Sequence, residues 1–344
     1  MSHGPSEAEN QGTPYVCHAT TGNPLVPALR IFAFGIVAFC ASYLFNNYLT
    51  NWWNWPGVIG LIEYPGDAGI SAWGQMAIYV LPFAAVAVFV LLTPARALHE
   101  DSEALSAFVA FFIRAAFWAV LLIGIADTII SFLRIEGLLD DIFGKALASD
   151  LGRPAFRGQS VHYPLLVVAI VIAWFSRSIG FHWLALLIVA AEVQIVIARF
   201  IFSYEQAFMA DLVRFWYGAL FLFASAYTLI EEGHVRVDIL YTSFSERGKA
   251  WTNTIGSLFL GIPLCWVILT MGFWGKSNVI TGPLLSYEVT QSGYGLYVKY
   301  LLAAYLLVFA VSMMVQFTSY LLRNAAVLLH EPDYHPDLTE HARI

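Results

Sequence analysis

Ile195-Val196-Ile197-Ala198-Arg199-Phe200-Ile201-Phe202 and, across the short turn 203–208, Met209-Ala210-Asp211-Leu212-Val213-Arg214-Phe215-Trp216 decide how this chain folds. They are the facing ends of two long apolar runs, and both carry charge. Gly233-His234-Val235-Arg236-Val237-Asp238 follows where the second run ends. Charge beside hydrocarbon is costly, so a chain that keeps it there uses it.

The rest of the sequence sets the solvent. Hydrophobic residues make up 59%, charged residues 12%, and the mean hydropathy is +0.68. A soluble domain carries about 25% charged residues. The 344 residues have too little polar surface to cover an aqueous core, so the class is a polytopic membrane protein. The net charge of -7 and the scattered basic residues give no footprint for nucleic acid. Cys17, Cys40 and Cys265 are isolated, so no disulfide framework or thiolate metal site is implied. No cleavable signal peptide is evident, and residues 1–24, rich in Gly and Pro, read as a disordered tail.

Eight spans follow: Leu25 to Phe45, Trp73 to Leu92, Phe108 to Leu133, Tyr163 to Ile179, Leu184 to Phe202, Met209 to Ile230, Trp251 to Trp274 and Leu296 to Leu322. Each is near the ~20 residues a helix needs to cross about 30 Å of hydrocarbon. Apolarity on every face excludes the alternation of a membrane β-barrel. The fold class is therefore an all-α integral membrane protein of about eight transmembrane helices. The fourth span is short, and its other reading is a helix lying in the interface.

Loop charge orients the chain. Residues 46–72 hold no Lys or Arg and lie outside, whereas the turn 93–103 holds Arg96 and lies inside. Residues 241–250, with Arg247 and Lys249, lie inside, and 203–208, with no basic residue, lie outside. Eight spans with both termini cytoplasmic satisfy these assignments. Arg134, Lys145, Arg153, Arg157, Lys276 and Lys299 then fall outside, against the rule. The long outer loop 134–162 alternates Leu138, Leu139, Ile142 and Phe143 with Asp140, Asp141 and Lys145, and reads as an amphipathic helix on the outer surface. The tryptophans at span ends read as interface anchors.

Glu192 sits near the middle of the fifth span, where an isolated carboxylate must be protonated, paired or turned to a polar crevice. Arg114 in the third span is its candidate ion-pair partner; the other reading has Arg114 snorkelling to the inner headgroups. Arg199, Asp211 and Arg214, with Asp127 of the third span, make a candidate charge layer in the outer leaflet. It either fastens helices or helps dock a partner. Gly233, His234, Arg236 and Asp238 form a motif at the inner face, with Gly233 suited to end a helix and Asp238 to cap the segment that follows. That segment, from Ile239, reads as a helix lying in the membrane plane.

None of these groups is catalytic. There is no HExxH, no phosphate-binding glycine loop and no Ser/His/Asp set. His182 and His234 lack the paired spacing of haem ligation, so no cofactor or metal is implied. No glycine-broken pair of helices marks a substrate site within the chain.

Residues 184–324 resemble the small, four-helix permease subunit of tripartite ATP-independent periplasmic (TRAP) transporters. Val196-Ile197-Ala198-Arg199-Phe200-Ile201-Phe202 is similar to the family's V-x-x-R-[YF]-x-F. Ala210-Asp211-Leu212-Val213-Arg214 is similar to its E-E-L-x-R, with Ala210 in place of one acid. Gly233-His234-Val235-Arg236-Val237-Asp238-Ile239-Leu240 is similar to its G-H-[IV]-R-V-D-x-[LF], in the same order and separation.

The resemblance implies a non-enzymatic inner-membrane subunit of a sodium-coupled symporter for organic acids. A large permease subunit would carry the substrate, and a periplasmic substrate-binding protein would deliver it. Membrane lipids would surround the complex, and no nucleic acid is involved. The expected organisation is a tail (1–24), an N-terminal membrane extension of four spans (25–183), the small-permease-like four-helix domain (184–324) and a cytoplasmic tail (325–344). Two other classes stay open at this point: an intramembrane redox or quinone-linked subunit, and a membrane adaptor or sensor.

Overall fold

The computed structural model describes residues 23–59, 61, 69–177, 181–204, 206–230, 241, 243–290 and 295–331. The motif Gly233, His234, Arg236 and Asp238 and the start of the in-plane segment after it lie outside the described residues. So do the N-terminal tail and residues 332–344.

Among the described residues there is no strand, and eight helices are long and apolar enough to cross a membrane. In chain order the helices are α1 (Leu25–Trp53), α2 (Ile70–Leu92), α3 (Leu98–Ile135), α4 (Leu139–Leu151), α5 (Pro154–Phe175), α6 (Phe181–Ile201), α7 (Ala207–Ile230), α8 (Glu246–Phe273), α9 (Thr281–Ser286) and α10 (Lys299–Leu328). The spans read from hydropathy correspond to α1, α2, α3, α5, α6, α7, α8 and α10. α10 continues past residue 324 because Ala325 and Ala326 still bury their methyl groups.

α3 is the centre of the molecule. It packs along α5, α7 and α10, and α10 in turn packs along α7, α8 and α1. The third span therefore lies against two helices of the C-terminal segment, and one hydrophobic core runs through both. Phe117 of α3 meets Phe223 of α7 edge-on, and Phe223 meets Tyr305 of α10. Lipid tails are as apolar as the helix faces, so close packing and interhelical hydrogen bonds from small and hydroxylated residues do the joining. Ser319 of α10 bonds Ser102 and Ser106 of α3 at 2.9 and 2.8 Å, and its hydroxyl also donates to the Ser102 carbonyl at 2.7 Å. Tyr305 donates to the Phe215 carbonyl at 3.1 Å, tying α10 to α7.

Two helices contain a π-turn. In α5 the turn spans Gly158–His162, and in α8 it spans Ser257–Gly261. In each a glycine faces an aromatic ring: a Cβ on Gly158 would lie 2.5 Å from Tyr287, and one on Gly261 would lie 2.7 Å from Phe317. The turn and the glycine together let a ring sit against backbone. α5 packs along α3, with Trp174 edge-on to Phe111, so the short fourth span is part of the helix bundle, and it is long and apolar enough to cross a membrane.

The first and last described helices end on the same side. Arg30 of α1 is buried and donates to Asp101 at the start of α3 at 2.6 Å, and to the Thr93 carbonyl at 2.6 Å. Glu331, just past α10, accepts from the Leu98 and His99 amides at 2.7 and 3.3 Å and lies 3.1 Å from His99 Nδ1. A carboxylate there caps the free N–H groups that open α3.

α4 lies at the opposite end, as an amphipathic helix broken at Gly144, whose φ is 79°. Leu139, Ala148 and Leu151 face inward, and Ile142 and Phe143 face outward.

Candidate functional site

The end of the bundle opposite Arg30 holds the candidate site. Asp127 stands near the end of α3 and is fully buried. A carboxylate in that position needs every acceptor lobe occupied. Oδ1 accepts from Arg157 Nη1 at 2.9 Å and lies 3.2 Å from His162 Nε2, while Oδ2 accepts from the Tyr297 amide at 2.7 Å. Arg157 and His162 come from the first turns of α5, and both are fully buried. Arg157 also donates through Nε to the Leu151 carbonyl at 2.9 Å, and its guanidinium lies 4.1 Å from the centre of the Tyr297 ring. His162 Nδ1 lies 2.8 Å from the Tyr300 hydroxyl. A neutral His162 satisfies both contacts when Nε2–H donates to Asp127 and Tyr300 donates to Nδ1.

Asp211, in the first turns of α7, grips the neighbouring residue. Its Oδ2 accepts from the Leu296 amide at 3.2 Å and from Thr290 Oγ1 at 3.3 Å. Two carboxylates on two helices thus hold two successive backbone amides, Leu296 and Tyr297, just before α10 begins. Tyr297 is further fixed by Arg134, which donates to its hydroxyl and lies 4.8 Å from its ring, and by its own donation to the Gly152 carbonyl at 3.1 Å. Lys299 pairs with Glu288 at 2.5 Å, and Tyr163 donates to Tyr287 at 3.0 Å. The described residues between α9 and α10, 287–290 and 295–298, are consequently bound into a floor across this end. The chemistry is positioning: each acid is consumed by fixed donors.

The sequence grouped Asp127 with Arg199, Asp211 and Arg214, and the structure divides that set. Asp127 and Asp211 share the floor. Arg214 makes only a 3.5 Å contact with Asp211 Oδ1, and its side chain is 74% exposed, so water or lipid headgroups screen the pair. Arg199 is exposed and makes no ion pair or hydrogen bond among the described residues. The buried ion pair at this end is made by Arg157, at 2.9 Å from Asp127. Nor is Arg114 paired with Glu192. α6 packs along α7, not along α3. The Arg114 Nε has no hydrogen-bond partner, and Glu192 faces outward from α6.

Sequence reasoning passed over Arg157, His162 and Arg30. Arg157 was placed in an outer loop, where a basic residue looks like an exception to the charge rule. The available signal was depth: a buried acid at Asp127 demands a cation at its own level, and α5 begins at that level with Arg157 and His162.

Residues 185–326 match the family described as tripartite ATP-independent periplasmic transporters, DctQ component. No curated protein and no solved structure matches the chain. The matched segment takes in α7 with Asp211, the floor residues Leu296 and Tyr297, and α10, whereas Asp127, Arg157 and His162 precede it. The family implies association with a large permease and a binding protein. Residues 185–326 are therefore similar to the DctQ component, the small permease of TRAP transporters, and they follow an extra N-terminal membrane region whose third span packs into the same core.

Proposed function

We propose that the chain is a non-catalytic scaffold subunit of a sodium-coupled importer of organic acids in the bacterial inner membrane. Its floor, formed by residues 287–290 and 295–299, faces the periplasm and presents a fixed surface on which the substrate-binding protein docks. Both termini then lie in the cytoplasm. The observation that carries this reading is the double grip of Asp127 and Asp211 on the Leu296 and Tyr297 amides. A floor held by buried charge on two helices keeps its shape while a larger partner moves. The extra N-terminal region supplies one half of that grip, which gives it a role in docking.

The test is reconstitution into sodium-loaded vesicles. The lone chain is expected to take up no organic acid. The chain with the large permease and binding protein is expected to give sodium-driven uptake that saturates with binding protein. Robust uptake by the lone chain would overturn the scaffold role, and a haem or flavin absorbance in the pure protein would favour a redox subunit instead.

A further inference from the structure

α6 is held along one stripe only. Leu184, Ile188 and Ala191 are buried against α7, Ala185, Leu187, Ile195 and Ala198 are half-buried, and the other described side chains of the helix are exposed. Glu192 is among the exposed ones. It lies about 16 Å from the start of α6 and about 13 Å from its end, at 1.5 Å per residue. Among the described residues nothing donates to it. Arg199 is exposed on the same flank two turns further on, about 10 Å nearer the end with Asp211.

A carboxylate turned outward at mid-membrane depth is not stable against lipid. We infer that the Glu192–Arg199 flank of α6 is the seat of a transmembrane helix of the large permease subunit. That helix carries a basic or strongly donating side chain at the depth of Glu192 and an acidic or accepting one about two turns further toward the Asp211 end. This inference rests on the small-permease reading given above. Charge complementarity selects a different chain over a second copy of this one. Two copies in a membrane pair about an axis along its normal, which sets Glu192 against Glu192 at one depth.

The test uses the full chain co-expressed with the large permease. A photoreactive benzophenone amino acid replaces Val196, beside Glu192 and Arg199, and, as controls, Leu81 on α2 or Val167 on α5, which are also exposed. Illumination is expected to give an adduct with the large permease from position 196 and none from 81 or 167. Glu192→Arg should lower the permease recovered per folded chain by about tenfold or more, and Glu192→Gln, which keeps an acceptor, by less. The melting temperature of each purified variant separates lost docking from lost folding. Full recovery with Glu192→Arg, adducts from the control positions alone, or an adduct joining two copies of this chain would each overturn the assigned surface while leaving the subunit reading intact. A wild-type chain that recovers no permease at all removes both.

Discussion

Replacing Asp127 by leucine strands Arg157 in the core, and the structure sets the size of the effect. Arg157 is fully buried, and without Asp127 its guanidinium keeps the Leu151 carbonyl, a 3.3 Å contact to the Ser131 hydroxyl and the face of Tyr297. Breaking one side of a buried ion pair costs about 3–5 kcal/mol. The Tyr297 amide and His162 Nε2 lose their acceptor as well, at about 1–3 kcal/mol for each group left buried and unpaired. Asp127→Leu should therefore be the most destabilising single change in the floor. Adding Arg157→Met removes the stranded charge and should restore most of the ion-pair part but not the amide part, since Tyr297 still has no acceptor. Asp211→Asn should rank below Asp127→Leu, because Asp211 is partly exposed and contributes contacts of 3.2 and 3.3 Å. Arg214→Ala should cost less than about 1 kcal/mol, as an exposed pair does. The assay is thermal unfolding of the four purified variants in one detergent, followed by loss of the monodisperse peak. A wild-type midpoint for Asp127→Leu, or an Arg214→Ala midpoint as low as that of Asp127→Leu, would refute the reasoning.

Gly158→Leu should push Tyr287 and Tyr300 off α5 at an overpacking cost of about 1–3 kcal/mol, and a lower thermal midpoint than wild type would show it. Glu331→Ala should uncap α3 at about 1–2 kcal/mol, read as faster hydrogen exchange at the Leu98 and His99 amides. Cysteines placed at Ser203 and Ser245, in a background without Cys17, Cys40 and Cys265, should label from the periplasmic and cytoplasmic side respectively. The reverse pattern would invert the proposed orientation.

Length and hydropathy determined the eight spans, because crossing hydrocarbon requires a run of apolar residues that is visible locally. The same local information located the α4 segment and put charge beside the ends of α6 and α7. Motif spacing pointed to the family over the last four spans. The tertiary structure alone decided which charges meet. Asp127 takes Arg157, 30 residues away, and the Tyr297 amide, 170 residues away, and a partner set by how three helices rotate about their axes leaves no trace in spacing along the chain. Arg199 and Arg214 differ from Arg157 by their rotation toward or away from the core, not by residue type. The sequence showed two parts joined near residue 183. Packing placed the third span of the first part against α7 and α10 of the second, since helices in a membrane associate through close fit and shared hydrogen bonds that only the assembled bundle brings within reach.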